Sequence, residues 1–189
     1  ILAFFRDIEP SVTKVGVFGQ GFMIPGVGED YLAEIKRQAE RLNFEIVEYT
    51  TSVPPPQVGD EFARLAATIK KGDIDAIVHI PGHFYTPQHE NEYVLARRLG
   101  IPHHTSYDDM PGGGHFAFSS NFYSSGEQAA RIADKIFKGA SPADIPIEYG
   151  SKNLLLLNDP RAAETGIEFT ADMRYLADEF DQESGLRDI

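Results

Sequence analysis

The stretch Asp75 to Gln88, DAIVHIPGHFYTPQ, decides how the rest of the chain is read. Ala76, Ile77, Val78, His79 and Ile80 form a short, nearly continuous apolar run rich in β-branched residues, bounded by Asp75 and by Pro81-Gly82. A strand without polar alternation is covered on both faces, as strands inside parallel sheets are. Past its carboxyl end His83, Phe84 and Tyr85 bring rings and hydrogen-bonding groups to the place where open α/β sheets take ligands. A flat aromatic or apolar ligand gains from stacking on such rings, while His and Tyr supply directional hydrogen bonds.

Upstream, Lys14-Val15-Gly16-Val17-Phe18 reads as a second buried strand, followed by the glycine-rich loop Gly19 to Gly28. Helix signals begin at Glu29-Asp30, with Leu32, Ile35, Ala39 and Leu42 at helical spacing until Asn43. Phe44 to Tyr49 alternates as a strand does. After Pro54-Pro55-Pro56 a helix carries Phe62, Leu65, Ala66 and Ile69 on one face and stops at Gly72. Downstream, a helix through Glu90 to Leu99 ends at Gly100, Ile101 to Ser106 is a strand, and Asp108 to Gly114 is a loop. A further strand runs from near His115 through Ser119, and a helix carries the stripe Ala129, Ile132, Ala133, Ile136 and Phe137 before Lys138-Gly139. Leu154 to Leu157 is a late strand, Asp159-Pro160 opens a short helix, and an acidic amphipathic tail begins at Thr170. Alternating strands and helices at this spacing predict right-handed βαβ units: a parallel, Rossmann-like α/β sheet flanked by helices.

The 189 residues suffice for one domain with a real core, or for one and a half small ones. Seventeen Lys and Arg stand against 29 Asp and Glu, a formal net charge of −12 that repels phosphate backbones and argues against nucleic-acid or membrane-surface binding. The lack of cysteine excludes disulfides, zinc thiolates and cysteine nucleophiles. No apolar run reaches the roughly 20 residues needed to cross a bilayer. Ile1 to Ile8 has the pattern of an amphipathic helix entered midway, so the sequence is expected to be part of a longer or processed chain.

The segment Gly126 to Glu148, GEQAARIADKIFKGASPADIPIE, carries the most specific text. It resembles the closing segment of a family of ABC-transporter substrate-binding proteins, the group with binding proteins for tryptophan and other aromatic amino acids, where a helix ending in KILKG is followed by PADIP. Pro10 to Phe18 looks like that family's lead-in to the first strand of its second lobe, and Lys152 to Gly166 like its last strand and short helix. The resemblance implies a type I periplasmic-binding-protein fold, in which a small ligand is enclosed between two lobes. On that reading residues 11–118 form the second lobe. Residues 119–148 cross over and pack a helix on a first lobe mostly absent from this sequence, and 149–189 return to the second lobe and the tail. The implied partners are a small amino-acid-like or aromatic ligand, an ABC permease, and, through residues 126–139, the missing lobe or a second chain. The implied location is periplasmic or extracellular, at the membrane through the transporter.

Within that frame Gln20, Gly21 and Phe22 belong to a cleft loop whose backbone N–H groups suit a carboxylate, with Phe22 to cover a ring. Gly19-Gln20-Gly21 also begins a dinucleotide fingerprint, but Ile24 stands at the third glycine, Pro25 follows, and the loop is long for a pyrophosphate turn. Where family members carry a small polar Asp-Asn type sequence, this chain has His83, Phe84 and Tyr85. Tyr107 and Asp108 follow the next strand, and an Asp there accepts a charge-assisted bond from an α-amino group. Asn121-Phe122-Tyr123 lies on a crossing between lobes, which makes Phe122 a candidate cleft residue. His79 and His83 are set past each other by a strand with Pro81-Gly82 between, and neither histidine set, His79, His83 and His89 or His103, His104 and His115, has i, i+4 helical geometry or an HExxH motif, so no metal and no cofactor is expected and His79 reads as a core histidine. No GxSxG occurs, and Ser124-Ser125 read as caps of the following helix. The expected function is capture without chemistry. The rivals are a ligand-sensing domain of a signalling chain and a doubly wound enzyme using a nucleotide or sugar phosphate.

Overall fold

The computed structural model describes residues 1–20, 27–51, 53–80, 87–105, 114–150 and 153–178. The chain runs α1 (Leu2–Ile8), β1 (Lys14–Gln20), α2 (Val27–Leu42), β2 (Glu45–Thr51), α3 (Val58–Thr68), β3 (Ala76–His79), α4 (Pro87–Leu99), β4 (His103–Thr105), β5 (Phe116–Ser120), α5 (Phe122–Phe137), β6 (Asn153–Leu157), α6 (Asp159–Thr165) and α7 (Ala171–Leu176). Six strands form one sheet in the order β2-β1-β3-β4-β5-β6. The first five are parallel to their neighbours, and β6 closes the edge antiparallel to β5, with Phe116 opposite Leu157.

Alternation of side chains across each strand divides the interior in two. On one face Val15, Val17, Ala76, Val78 and Phe116 pack with Phe4 and Phe5 of α1 and Ile35 and Ala39 of α2. On the other, Phe18 and Ile77 pack with Phe62 of α3 and with Leu95, Ala96 and Leu99 of α4. β3 is buried at all four residues, as its unbroken apolar run requires. Close packing also explains Gly16: a Cβ there would stand 2.9 Å from Ile74 Cδ1 and 3.2 Å from Phe18 Cε2, so a side chain would force the buried Ile74 to shift.

At the amino end of the β1–β3 pair a single carboxylate closes the joint. Asp75 Oδ2 accepts from Thr13 N–H at 3.0 Å, Thr13 Oγ1 at 3.0 Å and Lys14 N–H at 2.9 Å. Burial alone would raise its pKa, but these bonds and the Lys14 charge outweigh it and hold the carboxyl below its usual range. Asp75→Ala is expected to lower the unfolding free energy by about 1–2 kcal/mol, because two backbone N–H groups lose their acceptor. A urea midpoint unchanged from the wild type would contradict this reading of the joint.

Several element ends differ from expectation. α3 ends at Thr68 rather than running on to Gly72; Ile69 turns extended there, yet stays buried. α2 begins at Val27, before Glu29, and α4 at Pro87, before Glu90, where a proline is well suited to the first helical turn. α5 begins at Phe122 and is capped by Asn121, whose Oδ1 accepts from Ser124 N–H at 2.9 Å. Ser124 and Ser125 therefore lie inside the first turn instead of capping it, since Asn serves an N-cap as well as Ser does.

Candidate functional site

Because β1, β3, β4 and β5 are parallel, all four end at one edge of the sheet, at Gln20, His79, Thr105 and Ser120. The chain leaves β1 for β2 on one side and leaves β3 for β4 on the other, which puts a topological switch point between β1 and β3. Crevices of this kind are where open α/β sheets bind ligands. Gln20 is the last residue of β1, paired with Thr51. Gly21, Phe22, His83, Phe84, Tyr85, Tyr107 and Asp108 lie outside the described residues, although the strands that lead into their segments all end at this edge. Phe122 lies two residues past the end of β5, 63% exposed, with Tyr123 exposed beside it.

Behind the edge sits a polar cluster that the sequence signals only in part. Glu92, on the buried face of α4, is enclosed together with His79 and His103. Its Oε1 and Oε2 accept from His79 Nδ1 at 3.1 and 3.0 Å, and Oε2 accepts from His103 Nε2 at 3.2 Å. Burial would raise the Glu92 pKa, but the charge and hydrogen bonds of the two histidines outweigh it and lower it to about 2. Glu92 is thus ionised at any working pH.

The other buried histidines are neutral. His115 is lowered to about 3, by burial first and then by the His103 charge. Its Nδ1 accepts from His103 N–H at 3.0 Å and its Nε2–H donates to Thr165 Oγ1 at 2.9 Å. His104 lies on the opposite face against the Phe116 ring at 5.4 Å, and burial holds it well below the ordinary histidine range. Among the described residues no three acidic or histidine groups are placed to hold a metal ion. Thr105, the last residue of β4, keeps its hydroxyl buried without a hydrogen-bond partner. A second cluster ties α4 to α6: Tyr93 OH donates to Glu164, Arg161 lies over the Tyr93 ring at 4.1 Å, and Arg97 reaches Glu164 at 3.7 Å.

Glu92 was missed as a candidate, yet a signal existed. Leu95, Ala96 and Leu99 share its helix face at i+3, i+4 and i+7, so a carboxylate there must enter the core and needs a buried partner.

α5 keeps its apolar stripe at the surface. Ala129 is exposed, Ile132 and Ala133 are half-buried, and Ile136 and Phe137 are exposed, Phe137 at 88%. The segment that follows runs back along this helix: Gln128 Nε2 donates to Glu148 Oε2 at 2.8 Å and to Tyr149 O at 3.1 Å. It adds Ile147 and Tyr149 to the same exposed set. A separate hollow of about 290 Å³ lies between α1 and α2, lined by Ile1, Leu2, Tyr31, Ile35, Gln38 and Leu42 among others. It is remote from the carboxyl edge in sequence and brings no convergent set of polar groups, so it is the weaker place for a small polar ligand.

A mostly parallel sheet with helices on both faces, a switch point beside β1 and an antiparallel closing strand together define an α/β lobe of the type I periplasmic-binding-protein fold. The family model described as ABC transporter substrate binding protein matches residues 3–180, and the chain belongs to that family. Among solved structures it is similar to a conserved domain protein from Vibrio cholerae, at 19% identity and TM-score 0.75, with 93% of this chain and 57% of that one covered. The ABC domain in complex with L-Trp from Streptococcus pneumoniae gives 16% identity, TM-score 0.75 and the same coverage, 93% and 57%. An ABC transporter solute binding protein from Agrobacterium vitis with bound allitol gives 15% identity and TM-score 0.57, over 87% of this chain and 60% of that one. The chain therefore spans less than two thirds of the length of each of these structures. No curated protein matches it. Among the described residues no helix is long and apolar enough to cross a membrane.

Proposed function

We propose that this chain forms the second lobe of a solute-binding component of an ABC importer, which captures a small amino-acid-like or aromatic molecule between the carboxyl edge of its sheet and another lobe. The observation that carries this reading is the common edge: four parallel strands end together beside the switch point, and the exposed Phe122 stands where the last of them leaves the sheet. In this reading Gln20, Gly21, Phe22, His83, Phe84, Tyr85, Tyr107, Asp108 and Phe122 line the cleft. The L-Trp complex of a structural neighbour supports an amino-acid ligand, and the allitol complex of another supports a polyol as the competing class.

The protein performs no chemistry in this account. Ligand binding favours the closed arrangement only by its difference in affinity for closed and open forms, and the closed form is the one a permease recognises outside the cytoplasmic membrane. The stripe of exposed Ala129, Ile136 and Phe137 with half-buried Ile132 and Ala133 is the surface that packs on the other lobe, since contiguous apolar side chains are seldom left to water.

A thermal-shift screen of the intact protein against amino acids, aromatic acids, polyols, sugars and divalent metals tests the reading. A ligand at 100 times its dissociation constant adds about 2.7 kcal/mol of stability. Stabilisation by an amino acid or aromatic acid is expected; stabilisation by metals alone, or by nucleotides, would contradict it. Phe122→Ala is expected to weaken the ligand found by roughly tenfold, the loss of one stacking ring, at a stability cost within about 0.5 kcal/mol because the side chain is exposed. An unchanged affinity would remove Phe122 from the cleft.

A further inference from the structure

Glu92 brings a carboxylate into a site 1% exposed, and an ionised carboxylate only accepts hydrogen bonds, so His79 Nδ1 and His103 Nε2 must both carry hydrogens. Two neutral imidazoles would meet that demand but leave a buried negative charge uncompensated, which costs several kcal/mol. α4 packs on β3, β4, α3 and α6, and among the described residues Glu92 pairs with His79 and His103 and with no Lys or Arg. On α6, Arg161 stacks over Tyr93 and pairs with Glu164, which also takes Arg97 of α4. On α3, Glu61 and Arg64 pair with each other. Arg98, on α4 itself, donates to the Ala66 and Ile69 carbonyls. His115, just before β5, is neutral by its own hydrogen bonds, and His104 points to the other face of the sheet. Among the described residues the compensating charge has only the His79–His103 pair to reside on.

We propose that Glu92, His79 and His103 form a buried proton-binding site that holds one imidazolium and makes the seating of α4 on β3 and β4 depend on pH. Above the pH at which the proton leaves, Glu92 becomes an unbalanced buried anion and α4 loosens from the sheet.

Nitrogen-15 spectra of the histidine rings in the intact protein, recorded without ligand, decide the matter independently of the binding reading. At pH 6 one doubly protonated ring is expected among positions 79, 103, 104 and 115 of the wild type, traced to position 79 or 103 by His79→Asn and His103→Asn, and its signal is lost in Glu92→Gln. Neutral rings at 79, 103, 104 and 115 throughout would overturn the proposal on the wild-type spectrum alone, even where the variant does not fold. An imidazolium that survives Glu92→Gln would overturn it as well. Amide-exchange protection factors along residues 90–99 are expected to fall as the pH is raised until the imidazolium signal disappears, and to lose that dependence in Glu92→Gln. Protection that does not follow the signal in the wild type would refute the coupling to α4.

Discussion

Glu92→Ala lowers the unfolding free energy by about 3–5 kcal/mol, the usual consequence of removing one partner from a buried charged group. The substitution strips the acceptor from His79 Nδ1 and His103 Nε2 at once and leaves a hollow on the inner face of α4. Against a total stability of 5–15 kcal/mol this is a large fraction, and the melting temperature is expected to fall by roughly 10 °C or more. The pH dependence has a definite sign. Glu92 has its folded pKa lowered from 4.5 to about 2, so its contribution is fully present above pH 4.5 and is lost as the pH falls toward 2. That contribution is roughly 3 kcal/mol. In Glu92→Gln this part of the acid limb is absent. Urea denaturation from pH 2 to pH 7 measures both effects, and an acid limb equally steep in wild type and variant would remove Glu92 as its source.

Phe137→Asp has an effect that depends on what covers α5. At 88% exposure the ring loses almost nothing when replaced, and in residues 1–189 alone the change is expected to stay within about 0.5 kcal/mol. If a second lobe is seated on Ile132, Ile136 and Phe137, as proposed, the same substitution in the intact protein buries a carboxylate in an apolar contact. It is then expected to cost about 2–4 kcal/mol, or to part the lobes. Denaturation of both forms, wild type and variant, measures the difference. Equal small effects in the two would mean that α5 faces solvent and that the ligand is not enclosed by a body resting there.

The architecture was legible where a local pattern allows one reading. The unbroken run from Ala76 to Ile80 has no polar face, so it had to be an interior strand. Asn43 stops α2 and does so at positive φ. Gly100 and Gly166 end α4 and α6 in the left-handed conformation expected of glycine at a helix end. Tertiary direction was not legible. Nothing in NLLLL shows that β6 runs antiparallel, because that orientation follows from the long excursion through α5 and residues 139–150. The start of α5 was misplaced because Asn121 and Ser124 are equivalent caps on sequence alone, and only the observed bond from Ser124 N–H to Asn121 chooses between them.

The candidate site was legible by position more than by partners. Strand ends point to the segments after Gln20, Ile80 and Thr105, and parallel pairing brings those ends to one edge. His79 was correctly read as a core histidine, but its partner could not be, since Glu92 lies 13 residues on and reaches it only when α4 is seated. Asp75 was read as a strand boundary, and its three bonds to Thr13 and Lys14 span more than 60 residues.

The claim on which the rest depends is that a guest sits at the carboxyl edge, between this lobe and another. Amide hydrogen exchange of the intact protein, with and without the tightest amino acid or aromatic acid from the thermal-shift panel, tests it most directly. Slowed exchange is expected together at 19–22, 80–85, 105–109 and 121–124, with the hollow between α1 and α2 unchanged. Slowed exchange at residues 1–3 and 31–42, with none at the strand ends, would contradict the account.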